Sequence, residues 1–219
     1  LLTSVDLMPD LGLRKRAVKA LGELADIRAL DTLLRLVSDD GHALQEEAAE
    51  ALGHMGKAAE AQPGQPQKIF GILQRLAKGT GGVARRALVG LRHFGTREAW
   101  DLIRGRLRDD DTQIRATVAA LLEHCADPTT AELLTNRLHE ERYANVAQAL
   151  ARSLRTHHGP DSLEPDYAMV LGFHAPLERE LLSRLRDKGD ALRLDALLPK
   201  LQRQDLYQAP LVQILTNRD

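Results

Sequence analysis

The stretch LRKRAVKALGELADIRALDTLLRLV, Leu13 to Val37, decides how the chain is read. Its first half sets Leu13, Ala17, Ala20, Leu21 and Leu24 at the i, i+4, i+7, i+8, i+11 spacing of one helical face. After a tight break, Ile27, Leu30, Leu33, Leu34 and Val37 again share one face. Helices this short are marginal in water on their own. Each hides its apolar stripe only against a neighbour, so the natural unit is an antiparallel helix pair.

The unit recurs along the chain. VKALGELAD (18–26) aligns with AEALGHMGK (49–57), LVGLRHFGT (88–96) and AALLEHCAD (119–127), and NVAQALARS (145–153) closes the series with its leucine, Leu150, set two places further along the segment. Leu21, Leu52, Leu91, Leu122 and Leu150 fall on matching positions, at intervals of 31, 39, 31 and 28 residues. Periods near 30 built from helix pairs are the mark of an α-solenoid. The long interval has a local cause: residues 58–66 form a Pro/Gly/Gln-rich insertion between two helices, read as a mobile spacer or, as the alternative, a contact loop.

Partner helices are expected near 28–37, 67–77, 97–107 and 128–139. Asp127 followed by Pro128 reads as a helix cap with proline at the first helical position. The turns SDDGH (38–42) and DDDTQ (109–113) sit at equivalent places, and their aspartates suit the positive end of the next helix. KGTGG (78–82) reads as a looser turn. Beyond Arg155 the pattern weakens. Segments 177–185, 191–198 and 207–215 read as further helices of divergent repeats.

The segment from about 10 to 156 resembles HEAT repeats, and more closely the short bacterial HEAT-like repeats first named from phycobilisome lyases. The residues that carry the likeness are Ala20-Leu21-Gly22, Ala51-Leu52-Gly53, Gly56, Asp26, the Asp-rich turns and an early arginine in the second helix (Arg14, Arg85, Arg115). The resemblance implies an all-α fold: a right-handed superhelix of about six or seven stacked pairs, as a single domain over 1–219. It does not carry the lyase activity, because the shared residues are generic to the repeat. The resemblance to HEAT-like DNA glycosylases stops short as well: they use an aromatic-lined basic cleft, and this chain has one tryptophan, Trp100.

Composition narrows the function. Hydrophobic residues make up 43% and charged residues 28%, as in a globular chain, and aromatics only 3%, so Leu and Ala do the packing. The net charge of -1 gives no global pull toward nucleic acid or membrane. One cysteine, Cys125, excludes an internal disulfide and reads as a packed apolar residue. No run has the length of a membrane span, and no secretory signal opens the chain, so the expected compartment is the cytoplasm. The first residues, Leu1-Leu2, suggest a piece of a longer protein.

No catalytic constellation stands out. His157, His158, Asp161 and His174 lack the spacing of a metal site, and Asp109 to Asp111 lack the glycine and glutamate of a calcium loop. No cofactor, metal or small-molecule substrate is expected. Charge on the helices is more informative. Second helices lean basic, and first helices with their turns lean acidic, from Asp31 and Asp101 to Glu140 and Glu141. The candidate partner-binding residues are Arg14, Lys15, Arg85, Arg86, Arg115, Arg142 and Arg152, interrupted by Glu46, Glu47 and Glu50. The expected function is a non-catalytic scaffold or adaptor that binds a protein partner. The alternative is a nucleic-acid-binding module that contacts duplex backbone through that basic face.

Overall fold

A computed structural model describes residues 8–39, 41, 43–58, 64–159, 162, 163, 165 and 187. Every described element is helical. They are α1 (Leu11–Leu24), a 3-10 turn (Ile27–Ala29), α2 (Leu30–Ser38), α3 (Gln45–Ala58), α4 (Gln65–Ala77), α5 (Gly81–Arg92), α6 (Arg97–Gly105), α7 (Thr112–Leu122), α8 (Thr129–Glu140) and α9 (Ala144–His158). With the repeats, this is the fold class of an α-solenoid. The helices expected at 177–185, 191–198 and 207–215 lie outside the described residues.

The chain divides into two compact units, residues 1–121 and 122–219. In the first, α1, α3 and α5 lie side by side as one layer. α2 packs on α3, α4 bridges α3 and α5, and α6 packs on α5, so the partner helices form the second layer. In the second unit α8 and α9 pack as a pair.

The core lies where the repeat alignment puts it. Leu52, Leu91, Leu122 and Leu150 are fully buried and Leu21 nearly so. Burying one such side chain is worth about 2 kcal/mol. Small residues let the α1–α3–α5 layer close up. A Cβ added at Gly22 would stand 2.6 Å from Ala51 Cα, and one at Gly53 would enter the van der Waals shell of the Gly90 backbone. The chain is therefore short of aromatics for a reason: its helices meet at backbone distance.

Local signals fix the ends. Asp10 caps α1 by accepting from the Gly12 N–H at 2.9 Å. Asp111 accepts from the Gln113 N–H at 2.7 Å at the start of α7, as the Asp-rich turn predicts. Asp127 accepts from both the N–H and the hydroxyl of Thr129, at 2.9 and 2.7 Å. Pro128 sits just ahead of α8 rather than inside it, and Asp127 still does the capping.

Three expectations change. The inward face of α1 is Val18, Leu21 and Gly22, not the Leu13–Leu24 stripe: Leu13 is 45% exposed and Leu24 74%. The Gly22–Ala51 approach sets the rotation of the helix, and those two leucines turn away from it. In α2, Leu36 is buried, whereas Leu34 is only half-buried. And α4 starts at Gln65, taking in Pro66 from the expected insertion. Proline is tolerated in a first turn because its missing N–H has no intrahelical partner there.

Candidate interaction surface

Seven residues before each matched leucine stand Arg14, Gln45, Ala84, Arg115 and Tyr143. Three of them do the same job. Arg14 Nε donates to the Met8 carbonyl, Gln45 Nε2 to Val37 O at 3.1 Å, and Arg115 Nη1 to Asp109 O and Asp110 O at 2.6 and 3.0 Å. Each ties the head of a second helix to the turn or helix end before it. Turn carbonyls need such donors, because an unmade buried hydrogen bond costs about 1–3 kcal/mol. Arg115 is only 6% exposed, so it braces its own turn and does not line an open surface.

Ala84 carries no donor. The same place in that repeat is served from the following partner helix. Arg106, just past α6, donates Nη1 to Lys78 O at 3.0 Å and Nη2 to Gly79 O at 2.7 Å, and pairs with Asp109 at 2.8 Å. Arg85 stands one residue past the bracing position. Its Nε is buried with no hydrogen-bond partner among the described residues.

The remaining cations of the first unit meet the glutamates that seemed to interrupt them. Lys15 on α1 pairs with Glu47 on α3 at 2.9 Å, and Arg86 on α5 pairs with Glu50 on α3 at 2.5 Å. The Glu46 carboxylate lies against Gly82 in the first turn of α5, where the helix dipole favours it. The basic, acidic, basic order of α1, α3 and α5 is thus a lacing of neighbouring helices. Such partly exposed pairs are worth up to about 1 kcal/mol each. Lys15 and Arg86 do share one small groove, about 180 Å³, with Arg16, Lys19, Glu47, Glu50 and His54. Arg16 and Lys19 keep their charged ends exposed there, with Lys19 only 3.7 Å from its own-helix Glu23.

The partner-helix layer neutralises itself in the same way. Asp101 lies 3.3 Å from Arg104 and 3.8 Å from Arg97. So within the first unit these charges pair inside each layer rather than facing solvent as one basic and one acidic side.

A larger cavity, about 690 Å³, opens at the other end of these helices. Phe70 of α4 and Phe94, just past α5, meet edge to face with centroids 5.2 Å apart, and the Phe94 ring fills the space above Gly56. Gln67, Gly71, Gln74, His93 and Glu98 are among the other lining residues. His93 stacks on His54 with centroids 3.9 Å apart. Burial, then His54, then Arg92, lower the His93 pKa to about 4.

A family model for HEAT repeats matches residues 6–63 and 71–155. The chain belongs to the HEAT repeat family. No curated protein matches it. HEAT repeats commonly mediate protein interactions or scaffolding. In HEAT terms, Arg14 and Arg115 occupy the repeat's bracing position and Arg85 does not.

The last described HEAT pair holds the other two candidates. Arg142 and Arg152 are exposed, Arg152 on α9 itself. Glu141, read from sequence as surface acid, is 3% exposed. It pairs with Arg137 at 2.7 Å and accepts from the N–H groups of Arg142 and Tyr143 at 2.9 and 3.0 Å, holding the turn that leads into α9. His157 is half-buried with a ring nitrogen 2.9 Å from Leu122 O. No group of three or more metal-ligating side chains occurs among the described residues; Asp161 and His174 lie outside them. Cys125 is buried, as expected. Among the described residues no helix is long and apolar enough to cross a membrane.

Sequence reasoning did not find the His54–His93 pair or the Phe70–Phe94 cavity. The histidines carried a signal: each stands two residues after its matched leucine. The cavity carried none, because Phe70 and Phe94 come together only through the packing of α4 on α5.

Proposed function

We propose that this HEAT module is a non-catalytic scaffold, part of a larger cytoplasmic protein, that holds a protein partner against its second-helix layer. The carrying observation is the alternation of charge across α1, α3 and α5, where Lys15–Glu47 and Arg86–Glu50 pair between helices. A duplex backbone asks for an unbroken row of cations, each phosphate contact adding to the salt dependence. A surface of alternating sign suits a protein, whose side chains carry both signs. Of the sequence candidates, Arg14 and Arg115 are spent on carbonyls of the chain itself. Arg142 and Arg152, joined by Arg16 and Lys19, are exposed for contact; Lys15 and Arg86 meet a partner as ion pairs with Glu47 and Glu50, and Arg85 has its Nε buried.

The test has two arms. A photo-cross-linking residue in place of Arg16 or Lys19 is expected to give discrete protein adducts in cells, lost with Arg86→Glu. Duplex DNA or RNA is expected to show no binding whose affinity falls by about 10³ or more between 50 and 200 mM salt, the fall that about six phosphate contacts produce. Such a salt slope, weakened by Arg152→Glu, would replace this reading with the nucleic-acid one.

A further inference from the structure

We propose that the cavity floored by Phe70 and Phe94 seats one cationic side chain, arginine or lysine, carried by an extended segment of a partner protein. It rests on the reading that the module binds protein, and adds a second site with a defined chemistry.

One glycine in the cavity wall is not needed by the fold. Gly71 lies in the middle of α4, where alanine would be better by about 1 kcal/mol. Nothing lies within 4 Å of where its Cβ would stand. So no internal contact asks for the missing side chain, in contrast to Gly53. What the glycine does is keep a shelf open in the cavity wall. On either side of it, Gln67, Phe70 and Gln74 complete an i, i+3, i+4, i+7 stripe, with an amide at each end and the ring between. The HEAT match breaks off between residues 63 and 71, so Gln67 and Phe70 stand outside the matched pattern.

Glu98 is the only charged residue among the described residues that line the cavity, and it forms no ion pair among them. His93 is held neutral near pH 7, so the described lining residues carry a formal charge of about -1. Gln67 and Gln74 add two neutral carbonyl acceptors. The positive end of α6 opposes a cation, but Thr96 already caps it by accepting from the Ala99 N–H at 3.2 Å. Glu98, in its first turn, outweighs the helix's half charge and leaves a net negative potential of about half a charge there. An arginine or lysine stem is apolar and lies well on phenylalanine rings, while its head group seeks ring faces and carboxylates. A volume of about 690 Å³ holds such a side chain with its flanking backbone.

The test titrates the whole chain with acetyl-Gly-Arg-Gly-amide and with acetyl-Gly-Gln-Gly-amide, followed by backbone-amide NMR. The arginine peptide is expected to shift Gly71, Gly95 and Thr96 saturably and to bind about fivefold tighter than the glutamine peptide. Glu98→Gln should erase most of that difference. Gly71→Leu should block the shelf and abolish binding, with a melting temperature at or above that of the parent, so loss of fold cannot explain the loss. Equal binding of the two peptides, no saturable shift, or binding that survives Gly71→Leu overturns the proposal. Cross-linking from positions 16 and 19 is read separately. Adducts there without peptide binding remove this site alone.

Discussion

Ala25 shows how one residue can be locally wrong and still tolerated. It ends α1 at φ +50°, the left-handed region, with its N–H on Gly22 O. An L side chain costs about 1–2 kcal/mol there and glycine does not. Ala25→Gly is expected to stabilise the chain by about 0.5–1 kcal/mol, the gain being reduced by the extra freedom of glycine when unfolded; urea denaturation measures it. His93 sets a pH dependence. Its folded pKa of about 4 lies below the ordinary 6.5. Between those values the unfolded chain takes up a proton that the folded chain refuses, so stability falls as the pH drops through that window. The contribution is whole above about pH 6.5 and fully lost below about pH 4. Comparing urea midpoints at about pH 7 and about pH 4.5, His93→Gln should show a smaller loss than the parent.

Helices in the α1–α3–α5 layer are held at two levels. Close backbone approach does the packing, and paired charges with turn-bracing donors fix the register. Gly53→Ala is expected to destabilise by about 1–3 kcal/mol, because the clash is with the Gly90 backbone and no side chain can swing aside. A variant as stable as the parent would show that the layer can slide apart freely. Arg106 tests the bracing. It donates to the carbonyls of Lys78 and Gly79, so Arg106→Met should raise amide exchange at the α4–α5 turn. Ala84→Arg on that background would restore protection if the repeat position is what matters.

At the scale of the whole chain, helix pairs lean on neighbours. α1 and α2 both bury their apolar residues against α3. A peptide of residues 10–38 is therefore expected to show little helix by circular dichroism in water. Strong helicity in that peptide would mean that the pair stands alone. The sequence by itself determined the helices, their pairing and the matched leucines, because a 3.6-residue period and a repeat near 30 leave few other ways to hide so many leucines and alanines. It also marked the Asp-rich turns. It did not determine which charges were surface. Arg14, Arg115 and Glu141 look alike with Arg16, Arg152 and Glu132 in a linear chain, and only packing turned the first three inward. Glu47 and Glu50 read as a break in a basic face until α3 was set between α1 and α5, where they became its partners. The Phe70–Phe94 cavity belongs to the tertiary structure alone, since its two rings are 24 residues apart and meet only when α4 rests on α5. Periodicity is local and can be read along the chain; the rotation of each helix about its axis is set by the neighbour it touches.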